Sequence, residues 1–146
     1  MKHNRTSTIS TIIVAIAVAF SATSSFAIGG ACSECTGGPK TTDWTGWYTI
    51  KTVCGVKLQA RYYMKYYRFG TRTESNIQYR YCNHSSNDMT ADLSNVILTT
   101  VNGQVFNVGG ESVLVPAGSA VEGQVFTINT VAPDKLCTHA ETLHVR

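Results

Sequence analysis

From residue 56 to residue 67 the chain alternates two kinds of side chain with a period of two. Val56, Leu58, Ala60, Tyr62, Met64 and Tyr66 make one set, and Lys57, Gln59, Arg61, Tyr63, Lys65 and Tyr67 the other. Successive side chains of an extended strand point to opposite faces, so the first set forms an apolar face and the second a basic one. A helix would scatter both sets around its circumference. This run is therefore a half-buried strand, and such a strand requires a sheet beside it and a second layer beneath it.

The remaining chain supplies both. Residues 47–56 read as a strand leading into the long one. Residues 69–73 form a turn, and residues 76–82 return with Ile77, Tyr79 and Tyr81 on one face, completing a hairpin. A polar connection with a short helical turn is expected over 83–94. Asn102-Gly103 lies between the β-rich runs 96–101 and 104–108, which suits a type I′ turn with positive φ at both central residues. Further strands are expected at 112–115, 121–131 and 142–145, separated by Pro116-Ala117-Gly118 and Pro133-Asp134. The pattern predicts an all-β fold, a small antiparallel β-sandwich, with a small β-barrel as the alternative.

Residues 1–27 have a different character. Lys2 and Arg5 precede an uncharged apolar run at 12–20, and Ser25-Phe26-Ala27 places small residues where a signal peptidase reads them. The apolar run is shorter than the ~20 residues that span hydrocarbon, so the expectation is a cleaved signal peptide rather than an anchor. Cleavage after Ala27 would leave a Gly/Thr/Cys-rich extended arm at 28–46 and a single β domain at 47–146, with no transmembrane segment, in the periplasm or outside the cell. The alternative is a lipoprotein acylated at Cys32.

All five cysteines, Cys32, Cys35, Cys54, Cys82 and Cys137, follow the expected cleavage point. Export makes disulfides their default use, and an odd number leaves at least one sulfur for another role. Cys54 and Cys82, near the open end of the predicted hairpin, are the best single pair. Cys32-Ser33-Glu34-Cys35 has redox-pair spacing but no helix after it to lower a thiol pKa.

Catalytic chemistry finds little support. No Gly-x-Ser-x-Gly elbow, phosphate loop or carboxylate pair is present. Cys32 and Cys35 with Cys137 and His139 do not make a recognised zinc spacing. No catalytic residue, metal or cofactor is assigned, and His84, His139 and His144 are expected to be solvent-exposed imidazoles.

Charge is distributed unevenly. Residues 51–80 hold seven Lys/Arg and one acid, while the rest of the chain after residue 27 holds three basic and eight acidic residues. Six of the seven tyrosines fall between residues 62 and 81. Lys57, Arg61, Tyr63, Lys65 and Tyr67 should share the polar face, joining flat rings to cationic groups. The expected function is a non-enzymatic binding or surface-interaction module whose partner is a protein, a glycan or an anionic polymer. Alternatives are a structural subunit, linked into a homo-assembly by its arm or odd cysteine, and a secreted inhibitor or toxin.

Overall fold

The computed structural model describes residues 21–27, 43–67, 70–131 and 134–146, the first of these as main chain only. The expected leader up to residue 20, Cys32, Cys35 and most of the arm lie outside the described residues.

The described residues form nine strands: β1 (Ser21–Ala27), β2 (Tyr48–Val53), β3 (Val56–Tyr66), β4 (Thr73–Asn83), β5 (Met89–Thr100), β6 (Val105–Asn107), β7 (Glu111–Val115), β8 (Ala120–Thr130) and β9 (Leu136–Val145). One sheet runs β2-β3-β4-β8; the other runs β1-β9-β5-β6, with β7 also pairing with β5. All pairings are antiparallel. The two sheets pack as a β-sandwich, the first of the two expected architectures.

The core lies between them. Leu58, Tyr62 and Met64 of β3, Ile77 and Tyr79 of β4 and Phe126 of β8 meet Leu93 and Leu98 of β5 and Leu136 and Leu143 of β9. β3 behaves as its alternation requires: Val56, Leu58, Ala60, Tyr62 and Met64 are buried, and the intervening residues face outward. It pairs with β4 from Val56↔Asn83 to Tyr66↔Thr73 without a break. Ile77, Tyr79 and Tyr81 accordingly point inward.

The turns differ from expectation. The tight two-residue hairpin with positive φ at both central residues is Cys54-Gly55 (φ 46° and 81°), between the paired Val53 and Val56. At the Asn102-Gly103 loop only Gly103 has positive φ, and Gly103 N donates to Thr100 O while Thr100 N donates to Gln104 O. That wider loop leaves Asn102 in an ordinary conformation.

β5 begins well before the expected residue 96, and residues 89–94 are strand rather than polar connection. A register shift between Ser94 and Ile97, with Asn95 at φ 51°, explains the disguise. Ala91 and Leu93 point inward before the irregularity, Val96 and Leu98 after it. An extra residue in a strand inverts which positions face the core, so the alternation reads as two unrelated pieces. Gly110 is required beside this bulge, because a Cβ there would collide with the Leu93 carbonyl.

The expected Cys54–Cys82 bridge is absent: both are free thiols. Cys54 is exposed at the hairpin tip, whereas Cys82 pairs with Lys57 further along and directs its sulfur to Gln59 Oε1 at 3.4 Å. No two of the described cysteines, Cys54, Cys82 and Cys137, are joined to one another.

Residues 21–27, part of the expected leader, pair along β9 from Ser21↔His144 to Ala27↔Thr138.

Candidate functional site

The solvent face of the β2-β3-β4-β8 sheet carries the polar set of β3. Pairing with β4 sets Arg61 opposite Gln78 and Gln59 opposite Arg80. Each glutamine holds the guanidinium across from it through one carbonyl oxygen. Arg61 Nε and Nη2 donate to Gln78 Oε1 at 3.0 and 2.7 Å, and Arg80 Nε and Nη2 to Gln59 Oε1 at 3.0 and 2.6 Å. Such forked bonds hold each guanidinium in a defined plane.

Tryptophans from the segment before β2 lie across this row. Thr45 anchors that segment, its amide donating to Tyr62 O at 2.9 Å and its hydroxyl accepting from Tyr62 N at 3.1 Å. Trp47 then has two guanidinium groups at its ring, Arg61 at 4.4 Å and Arg80 at 4.5 Å from the ring centre. Arg61 also sits 4.8 Å from the Trp44 ring, and Trp44 leans on Tyr63 with centroids 5.8 Å apart. The result is an alternating series, Tyr63–Trp44–Arg61–Trp47–Arg80, on the outside of the sheet. Cations near aromatic faces gain about 0.5–1 kcal/mol per pair at exposed sites. Glu122 Oε2, 3.2 Å from Arg61 Nη2, offsets part of the charge.

A second cluster gathers at the far end of β3. Tyr67, just beyond the strand, donates its hydroxyl to Glu74 Oε2 at 2.8 Å. Its ring lies 3.9 Å from the Arg72 guanidinium and 5.0 Å from Lys65 Nζ. Hydrogen bonds from Asn76 and then Tyr67, with Lys65 and Arg72 nearby, hold the Glu74 carboxyl below its usual range. The five expected residues therefore separate into three places: Arg61 and Tyr63 in the ring–guanidinium series, Lys65 and Tyr67 around Glu74, and Lys57 at the opposite end, paired with Cys82.

Sequence reasoning set Gln59 on this face with the rest of the polar set of β3, but missed Trp44, Trp47, Arg80 and Gln78 as members of it. Placing Ile77, Tyr79 and Tyr81 on one face already implied that Gln78 and Arg80 lie on the other. The tryptophans gave a subtler sign: both of the chain's tryptophans sit in or beside a Gly/Thr-rich stretch with no apolar periodicity to draw them into a core.

A second polar group lies inside the sandwich. His139 and Glu141, on inward positions of β9, have fully shielded side chains, with Nδ1 2.7 Å from Oε2. His139 is thus a core residue and not an exposed imidazole; His144 is half-buried, and His84 is exposed as expected. Tyr48 of β2 places its hydroxyl 2.8 Å from His139 Nε2, and Tyr79 of β4 donates to Glu141 Oε2 at 3.1 Å. Lys51 Nζ lies 3.8 Å from Glu141 Oε1 and donates to the Glu141 carbonyl at 3.2 Å. Burial, then the Glu141 charge, pushes the Tyr48 and Tyr79 hydroxyls far above the ordinary phenol range. Hydroxyl, imidazole and carboxylate form a relay by geometry. Enclosed between the sheets, it fastens β2, β4 and β9 to one another.

Among the described residues no group of three or more His, Cys, Asp or Glu gathers as a metal site. The sequence matches no protein-family model, and no curated protein is significantly similar to it.

Proposed function

We propose that this chain is an exported, non-enzymatic binding module that takes an acidic polymer, a glycan bearing carboxylate or sulfate groups, on the outer face of its four-stranded sheet. The observation carrying this reading is the series Tyr63–Trp44–Arg61–Trp47–Arg80, built on the solvent side where it adds nothing to the core. Nε and Nη2 of each guanidinium are committed to glutamine, while Nη1 of each keeps no hydrogen-bond partner among the described residues. Those donors point to anionic groups, and Trp44, 36% exposed, offers a ring on which a sugar can stack. Because the rings and cations are held before any ligand arrives, little side-chain freedom is left to lose on binding. Lys57 and Lys65 extend the positive field along the same strand and would steer a polyanion to it.

The test is a calorimetric titration with acidic and neutral polysaccharides of matched length at two salt concentrations. The reading expects binding to the acidic polymers only, weakened by salt. Trp47→Ala and Arg80→Ala should each weaken it roughly tenfold, about 1.4 kcal/mol. Equal binding of neutral polymer, or wild-type affinity in both variants, would sink it.

A further inference from the structure

The edges of the sandwich are not protected alike. β2 carries Lys51 and a register shift between Thr49 and Lys51, while β6 and β7 are short strands. β8 carries Glu122, and its register with β4 shifts between Gln78 and Arg80. Such charges, irregularities and short lengths discourage an exposed edge from recruiting another strand. β9 has none of them over residues 138–144; its own irregularity, opposite the Thr99/Thr100 shift of β5, lies at Cys137. From Leu136 to Val145 it holds no lysine, arginine, proline or glycine, and its one acid, Glu141, points into the core. It is regular enough to carry a continuous antiparallel partner over residues 138–144, the place taken by β1. That partner, as far as it is described, is residues 21–27, all of which precede the expected cleavage point.

We infer that β9 is a strand-acceptor edge, that export exposes it, and that a second copy of this chain then fills it, β9 against β9. The inference rests on the export reading proposed above. A signal peptidase would hydrolyse the Ala27–Ile28 peptide bond, water leaving a carboxylate on Ala27 and an amine on Ile28, and residues 21–27 would depart with the leader. A two-fold axis pairs β9 with itself antiparallel, the same sense in which β1 is seated.

Self-complementarity selects the register. Centred on Ala140, the pairing sets Thr138 opposite Thr142 of the second copy on the outer face, while His139 and Glu141 keep their partners inside each sandwich. Threonine pairs directly across a ladder are a favourable combination. A register centred on Glu141 would instead oppose two carboxylates. The joined β9 strands would make one sheet through both molecules and leave the ring–guanidinium face of each on the other layer, facing solvent. Two such faces in one particle would raise its avidity for a repeating polymer.

The experiment uses protein exported by its own host and measures intact mass, then native mass in the presence of reductant. The expected result is a chain beginning at Ile28 that runs as a non-covalent dimer, with slow amide exchange over residues 138–144. Excess synthetic peptide of residues 21–27 should convert it to a peptide-bound monomer. Ala140→Lys places two like charges across the axis and should weaken the dimer roughly 100-fold. Mixing it with Ala140→Glu should restore a heterodimer, which a merely misfolded variant would not do. A monomer beginning at Ile28, or a dimer indifferent to Ala140→Lys, overturns the inference and leaves the export reading standing. A mature chain that retains residues 21–27 overturns the export reading itself.

Discussion

Glu111 shows how one side chain can hold two layers together. It accepts the Tyr81 hydroxyl through Oε1 at 2.6 Å and the Gln124 amide through Oε2 at 2.7 Å, so β7 is tied to both β4 and β8. Gly123 makes room for it, since a Cβ there would overlap the carboxylate. Gly123→Ala should therefore cost about 1–3 kcal/mol, by displacing a charged acceptor from the buried Tyr81 hydroxyl as well as from the Gln124 amide, and urea melts would show it as a lowered midpoint. The buried relay makes a graded prediction. Tyr48→Phe removes one hydrogen bond and should cost about 1 kcal/mol. Glu141→Leu takes the carboxylate from His139, Tyr79 and Lys51 at once and should cost about 3–5 kcal/mol. Equal losses from the two would mean that these groups do not act as a network.

At the scale of elements, the strained position is the β2–β3 turn. Cys54 sits at φ 46°, a conformation that asparagine tolerates better than cysteine does. Cys54→Asn should raise stability by about 0.5–1 kcal/mol in the same urea assay, and a loss would mean that the thiol has a packing role at the tip. How much of the architecture could be read beforehand also turns on single residues. β3 was legible throughout because neither a bulge nor an inward polar side chain interrupts it. β5 was half legible, because the extra residue at Asn95 inverts its alternation. Most of β9 was hidden, because His139 and Glu141 stand where a strand pattern calls for apolar residues and find their partners only on β2 and β4. The ring–guanidinium face was legible as a charge pattern on β3 alone. Its tryptophans come from a neighbouring segment, and no spacing rule connects Trp44 or Trp47 to Arg61.

For the molecule as a whole, pH sets two limits with different origins. Tyr48, Tyr79 and Tyr81 are all held protonated in the folded state, chiefly by burial. Their contribution is complete below the unfolded phenol value of about 10 and is lost as pH rises beyond it, because only the unfolded chain then releases those protons. Stability should fall progressively above about pH 10, with the absorbance of the phenolates appearing together with unfolding. Glu74 and Asp92 set the acid side. The first is held ionised mainly by Asn76 and Tyr67, the second mainly by Ser112 and Arg146. Their contribution is present above ordinary carboxylate values and disappears as pH drops through the lowered folded ones. Asp92→Asn should flatten the acid limb of a melting-temperature profile and leave the alkaline limb unchanged.

The chain has two tryptophans, and both belong to the ring–guanidinium series on one outer face. Light absorbed by indole is consequently emitted from that face and from nowhere in the core. Emission excited at the red edge of protein absorption reports on the surroundings of Trp44 and Trp47, free of any tryptophan background from the interior. A ligand settling on them, or a change at Arg61 or Arg80 that frees Trp47 from its cations, would alter colour and intensity without a label. The protein is its own optical probe, aimed at the surface through which it is proposed to act.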